Sequence, residues 1–231
     1  MIRVASYNMR KAIGTDRRRL PTRTIDVLRE IGADVVALQE ADRRFGARLS
    51  AIPHYLLDDQ SDLRAVDFGV RPDGMGWHGN AILVRKSVEV LDRAVIHIPT
   101  LEPRGAVRAD LRVRGQRIRV VGMHLDLSGL RRRRQARAII AHLESLDDSL
   151  PTVLMGDLNE WSPEGGCLRD FADHYGFVPC GRSFHARRPV AALDRIMVSP
   201  DVAVEACGVH RSPAARIASD HLPIWATVEP Q

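Results

Sequence analysis

Asn8, Glu40, His124, Asp157, Asn159, Asp194, Asp220 and His221 each stand beside a short apolar run. Asn8 follows Ile2–Tyr7, Glu40 follows the run ending at Leu38, and His124 falls within Ile118–Leu125. Asp157 and Asn159 follow Thr152–Met155, Asp194 precedes Ile196–Val198, and Asp220 and His221 precede the last run, Leu222–Val228. If those runs are strands of suitable direction, the eight side chains gather on one rim of a sheet, where α/β proteins place ligands. Four carboxylates, two carboxamides and two histidines without a cysteine favour a hard cation held by oxygen, Mg²⁺ or Mn²⁺ rather than zinc. Taken singly, each residue has a plainer use. A carboxylate at a strand end is commonly a turn former or helix cap, Asn8 suits a turn, and a lone histidine suits a core. The set, and the strings around it, argue for chemistry.

The elements that must position these residues follow from periodicity. Ile2–Tyr7 reads as a strand. Pro21 and Thr22 open a helix with Ile25, Leu28 and Ile31 on one face and Gly32 as its C-terminal cap. Val35–Leu38 is a continuous apolar run, as for a strand buried on both faces, which makes a β-α-β unit. Residues 41–78, rich in charge and glycine, read as surface loops, and Asn80–Val84 as a strand. Alternation from Val107 to Val113, a turn at Gly115 and a return over Ile118–Leu125 predict a hairpin. Behind Ser128 and Arg131–Arg134, the stripe Ala136, Ile139, Ile140, Leu143 and Leu146 predicts a helix. Thr152–Met155 is a buried strand. Ser162-Pro163-Glu164 reads as a helix start with Gly176 as its stop. Strands follow at Ile196–Val198, Val202–Ala206 and Leu222–Val228. This order, without linker or repeat, predicts one α/β domain over residues 1–231 with about ten strands and at least three helices.

The strings that carry the polar residues are Ser6-Tyr7-Asn8, Leu38-Gln39-Glu40, Gly79-Asn80-Ala81-Ile82-Leu83, Met123-His124-Leu125, Gly156-Asp157-Leu158-Asn159, Leu193-Asp194-Arg195-Ile196 and Ser219-Asp220-His221-Leu222-Pro223. In this order they resemble the endonuclease/exonuclease/phosphatase superfamily, over residues 2 to about 228. The resemblance implies a four-layer α/β sandwich, two mixed β-sheets packed face to face with helices outside. It implies metal-assisted hydrolysis of a phosphoester by in-line attack of water. Glu40 is then the main metal-ligating carboxylate, helped by Asn8 and Asp220. Asp157 orients or deprotonates the water, and Asn159 holds a phosphate oxygen. His221 sits against the scissile phosphate with Asp194 fixing its ring. His124 donates to a non-bridging oxygen as charge builds there. The chemistry itself asks for the cation, because a phosphodiester anion repels hydroxide until its charge is neutralised.

In the deoxyribonuclease branch a glutamate pairs with the histidine corresponding to His124. Trp77-His78-Gly79-Asn80 offers Asn80 instead, as several phosphatase and deadenylase branches do, so Asn80 is a candidate substrate contact. Glu102-Pro103-Arg104-Gly105 offers Arg104 to a phosphate, or to solvent. Arg131–Arg134 is either a polyphosphate or nucleic-acid contact or an exposed first helical turn; positive charge is mildly unfavourable there. Trp77 and Trp161 flank site strings. The 34 Lys and Arg against 29 Asp and Glu give a net charge of +5, and Lys11 and Lys86 are the only lysines. That balance suits an anionic partner without demanding nucleic acid. Three scattered cysteines fit a reducing compartment. With no leader and no run near the ~20 apolar residues of a membrane helix, a cytoplasmic protein without stable membrane insertion is expected. The favoured function is a phosphodiesterase of nuclease-like chemistry, using Mg²⁺ (or Mn²⁺). A small-molecule, inositol-type or lipid phosphoesterase is the alternative. An arginine-rich nucleic-acid-binding module without catalysis is the rival of another class, and metal-dependent turnover separates the two classes.

Overall fold

The computed structural model describes residues 1–43, 46, 48–70, 73–100 and 104–231. Its strands are β1 (Ile2–Asn8), β2 (Val35–Gln39), β3 (Leu63–Ala65), β4 (Ala81–Arg85), β5 (Glu89–Ile96), β6 (Gly105–Val113), β7 (Gln116–His124), β8 (Thr152–Asp157), β9 (Gly176–Val178), β10 (Asp194–Val198), β11 (Val202–Val209) and β12 (Ile224–Pro230). The helices are α1 (Pro21–Ile31), α2 (His54–Gln60), α3 (Gly129–Glu144), α4 (Cys167–Ala172) and α5 (Pro213–Ala218). Two six-stranded mixed sheets result, ordered β11-β12-β1-β2-β4-β3 and β5-β6-β7-β8-β10-β9. Each has one parallel pair near its centre, β1 with β2 and β7 with β8, joined by a crossover through α1 or α3. A parallel pair needs such a crossover, whereas its antiparallel neighbours can be reached by tighter turns.

Successive residues of the central strands point to opposite faces, and the apolar contacts divide accordingly. Val4, Val35, Ala37, Val120, Val153 and Met155 belong to the core between the sheets. Their neighbours Ala5, Val36 and Leu38 pack with Ile25, Leu28 and Ile31 of α1. Val121 and Leu154 pack with Ile139, Ile140 and Leu143 of α3 and with Phe171 of α4. Helix, sheet, sheet and helix therefore form a four-layer α/β sandwich, as expected. Each fully buried Leu or Ile contributes roughly 1.5–3 kcal/mol, so packing rather than capping holds α3, whose N-cap Ser128 makes no side-chain cap bond. Gly122 of β7 faces Ala37 of β2; a Cβ on Gly122 would lie 3.1 Å from that of Ala37. Small residues thus let the sheets close together.

The structure departs from expectation in five places. Part of the segment read as loops over 41–78 forms α2 and β3. The edge strand β5 carries Glu89, Asp92 and Arg93, which hid its alternation. The helix expected from Ser162 begins at Cys167, because Ser162 N donates to Glu160 Oε1 (3.0 Å) and closes a turn first. Gly176 opens β9 rather than stopping that helix, which ends at Ala172. The short α5 lies between β11 and β12. Among the described residues, no helix is long and apolar enough to cross a membrane.

Candidate active site

Strand direction decides which side chains can meet. The C-terminal ends of β1, β2, β7 and β8 share one rim, and the antiparallel strands β4, β6, β10 and β12 start there. His124, Asp157 and Asp194 lie in register across β7, β8 and β10, so their side chains form a row on one face. Asn8 and Gln39 end the paired strands of the other sheet. The two rims are joined by Asn8 Nδ2, which donates to Asp157 Oδ2 at 2.9 Å. His124 Nε2 and His221 Nε2 stand 3.4 and 3.8 Å from that same oxygen. His221 Nδ1 is bonded to Asp194 Oδ2 at 2.9 Å. Asn8, His124, Asp157, Asp194 and His221 are all buried.

Local backbone chemistry sets this row. A Cβ on Gly156 would fall 1.9 Å from the Met123 carbonyl oxygen, so only glycine lets β8 deliver Asp157 beside His124. Glu40 and Asn159 adopt left-handed backbone at φ +54° and +51°, which costs an L-residue roughly 1–2 kcal/mol. Strain of this kind is found where function over-determines the backbone. Asn159 is held there by its own N–H, which donates to Asp157 Oδ1, and by its amide, which donates to the Leu125 carbonyl (both 2.9 Å). One amide hydrogen of Asn159 is therefore spent inside the site, and one remains. Ser219 Oγ donates to the Asn8 carbonyl (2.7 Å) and accepts from the His221 N–H (3.2 Å), which fixes the Ser-Asp-His segment to the end of β1.

The charges reinforce one another. Burial opposes ionisation of Asp157, but His221, His124 and the Asn8 amide outweigh it and hold its carboxyl well below the usual carboxylate range. Burial also works against protonated His221, yet Asp194, Asp157 and Asp220 push its pKa up to about 10. Partial burial likewise opposes ionisation of Glu40, which is still held below its ordinary value by His124, Lys11 and Arg104. Arg104 meets the His124 ring, which places it beside the row. Its neighbours Glu102 and Pro103 lie outside the described residues. Asn80 is fully buried and faces Gly105, the register partner of His124; its Nδ2 donates to the Trp77 carbonyl (3.3 Å), and its Oδ1 has no partner among the described residues.

Asp220 and Glu40 face side-chain cations, Arg10 Nε at 3.3 Å and Lys11 Nζ in direct contact. Carboxylates that draw in two cations mark negative potential, and their oxygen donors suit a hard ion. Asp157, Asp194 and His221 also have ligand atoms within 4.8 Å of one another and could hold an ion. An ion there would displace the His221–Asp194 hydrogen bond, so this trio is better matched to proton and orientation work.

Several neighbours carry no sequence signal. Ser183 donates to Asp194 Oδ2, and Phe184 packs against the His221 ring at 4.8 Å between centroids. Both lie in an aperiodic loop. The exposed Trp161 meets Phe184 edge-on at 5.9 Å. Within Arg131–Arg134, buried Arg132 pairs with Glu160, and exposed Arg133 pairs with Asp170.

A family model described as the endonuclease/exonuclease/phosphatase family matches residues 5–221. The uncharacterized protein YbhP of Escherichia coli K12 is 28% identical over 98% of this chain and 95% of its own length. A mannosyl-6-phosphatase of Bacteroides thetaiotaomicron superposes with a TM-score of 0.77 at 17% identity, covering 99% of this chain and 100% of its own. TDP2 of D. rerio, complexed with a single-strand DNA product, superposes with a TM-score of 0.75 at 19% identity, covering 99% and 98%.

Proposed function

The chain belongs to the endonuclease/exonuclease/phosphatase family, whose members are phosphoester hydrolases dependent on a divalent metal, and we propose that it is a Mg²⁺- or Mn²⁺-dependent phosphodiesterase. The observation that carries this reading is the in-register row His124–Asp157–Asp194, closed by His221 and tied to Asn8 of the opposite sheet. Its elements come from both sheets, and a binding module has no use for that constellation.

Glu40 and Asp220, with Asn8, would hold the cation. When bound, the ion neutralises phosphate charge and stabilises the leaving oxygen. Asp157, ionised and weakly basic, accepts a hydrogen bond from the attacking water and aims it at phosphorus. His221 keeps its proton, so it acts as a donor from Nε2 to a non-bridging oxygen rather than as a base. Asp194 accepts from Nδ1 and fixes the ring that does so. His124 and Arg104 supply further donors where charge builds, and the remaining amide hydrogen of Asn159 reaches the same oxygens. Asn80, whose carbonyl oxygen has no partner among the described residues, would contact the substrate. Attack in line with the leaving group inverts configuration at phosphorus.

A phosphodiester is the substrate class we take first; His221 with its proton and the Arg104 guanidinium suit a phosphoester anion of either kind, and the substrate panel separates the two. Support for nucleic acid narrows to Arg131 and Arg134, since Arg132 and Arg133 are engaged elsewhere. The test is a panel of bis-p-nitrophenyl phosphate, p-nitrophenyl phosphate, single- and double-stranded DNA, RNA, sphingomyelin and inositol phosphates, each with Mg²⁺ or Mn²⁺. Faster turnover of the diester than of the monoester is expected. The reverse would assign the chain to monoester phosphatases.

A further inference from the structure

Lys11 takes no part in the mechanism above, yet its ammonium contacts Oε2 of Glu40, the residue read as the principal metal ligand. The chain uses 34 basic side chains and only two are lysines. Lys86 binds the carbonyls of Asp58 and Ser61 at 2.9 and 3.0 Å, and Lys11 is placed on Glu40. Its placement is costly. Arg10, Lys11 and Ala12 all adopt left-handed backbone, at φ +48°, +58° and +58°, a conformation L-residues visit singly and rarely in succession. The turn is fastened at both ends to the site: Arg10 N donates to Asn8 Oδ1 (3.1 Å), and Lys11 N donates to the Glu40 carbonyl (3.0 Å). Glu40 is itself left-handed at φ +54°. Strain on both partners is thus directed to one ion pair.

We propose that Lys11 is a tethered cation that occupies Glu40 in the ion-free protein, competes there with the divalent ion, and is drawn off by the substrate's phosphate, so that metal and anion bind cooperatively. A dication and an ammonium cannot share one half-buried carboxylate without strong like-charge repulsion. Lysine suits the exchange where arginine would not: it is a compact point charge on a flexible four-carbon stem, without a planar fork to lock it in place. About a quarter of the side chain is exposed, at 24%, which leaves it room to move. When an anion enters, Lys11 has a second negative partner, and Glu40 is released to the metal. Because linkage is reciprocal, metal must tighten anion binding by the same factor that anion tightens metal binding.

The inference rests on the assignment of Glu40 as a ligand, and the experiment separates the two. Mn²⁺ binding to the full-length, metal-free chain is measured by titration with electron paramagnetic detection of free ion. It is repeated with sulfate as a dianionic probe, with chloride at equal ionic strength as the reference. Lys11→Met should bind Mn²⁺ about tenfold or more tightly than wild type without sulfate. Sulfate should tighten binding in wild type and have little effect in the variant. Lys11→Asn, a residue that tolerates positive φ, should behave as Lys11→Met does and guards against a folding defect. Equal or weaker Mn²⁺ binding by both variants, with binding lost in Glu40→Gln, would overturn the inference and leave the metal assignment standing. Equal binding by wild type and Glu40→Gln would overturn both.

Discussion

Removing the charge of Asp194 tests whether it acts through His221 or on its own. Asp194 is buried; its Oδ2 accepts from His221 Nδ1 at 2.9 Å and from the Ser183 hydroxyl. Asp194→Asn keeps the volume but loses the charge behind the imidazolium. Loss of His221 itself, as His221→Gln, should cost about 10²–10³ in kcat, the range for losing one preorganised donor to developing charge, or roughly 2.7–4 kcal/mol of barrier. Asp194→Asn should cost a large part of that factor. Groups acting as a unit are not additive, so the double variant should be scarcely slower than His221→Gln alone. Breaking a buried charged pair also destabilises the fold, by roughly 3–5 kcal/mol, so urea denaturation must show each variant folded under assay conditions. The assay is single-turnover hydrolysis of bis-p-nitrophenyl phosphate at saturating Mg²⁺. Losses that multiply would refute the reasoning and place Asp194 on the metal or in a purely structural role.

Three further outcomes follow from the geometry. The raised pKa of His221, from an ordinary 6.5 to about 10, stabilises the metal-free fold fully below pH 6.5. That stability is lost as the pH rises towards 10, so the Tm of metal-free wild type should fall over this window more steeply than that of His221→Gln; parallel curves would contradict the raised pKa of His221. Gly156→Ala should destabilise by about 3 kcal/mol or more, the scale of forced backbone shifts, and abolish activity, because its Cβ has no space beside the Met123 carbonyl; near-native urea midpoints would contradict this. Arg132→Met should cost about 3–5 kcal/mol by leaving buried Glu160 unpaired, whereas Arg134→Gln should stay within about 0.5 kcal/mol; equal effects in chemical denaturation would restore a common role for the arginine run.

Much of the rim was legible because its residues end or begin apolar strands. Val35–Leu38 and Thr152–Met155 announce themselves as buried, and the polar residues after them can only lie at a strand end. Sequence could not say that these ends coincide. That follows from the parallel pairs β1–β2 and β7–β8, which bring Asn8, Glu40, His124 and Asp157 to one edge. Ser183 and Phe184 are silent in the sequence because an aperiodic loop carries no spacing signal, and their role depends on a contact made only after β10 and β12 are placed. Lys11 was visible only as a rare residue type; its partner Glu40 is 29 positions away and reached through a left-handed turn that sequence pattern does not mark. Arg131–Arg134 is ambiguous in the sequence for a simpler reason. Four like charges look like one patch, but the turn of α3 splits them, and Arg132 is directed inward to Glu160.

The most direct test of the central claim is the initial rate of bis-p-nitrophenyl phosphate hydrolysis after exhaustive chelation, and again after Mg²⁺ is restored, in wild type and Glu40→Gln. Activity should vanish on chelation and return with Mg²⁺ in wild type, and should fail to return in Glu40→Gln at the same concentration. Full activity in the chelated protein would contradict a metal-dependent phosphodiesterase centred on Glu40.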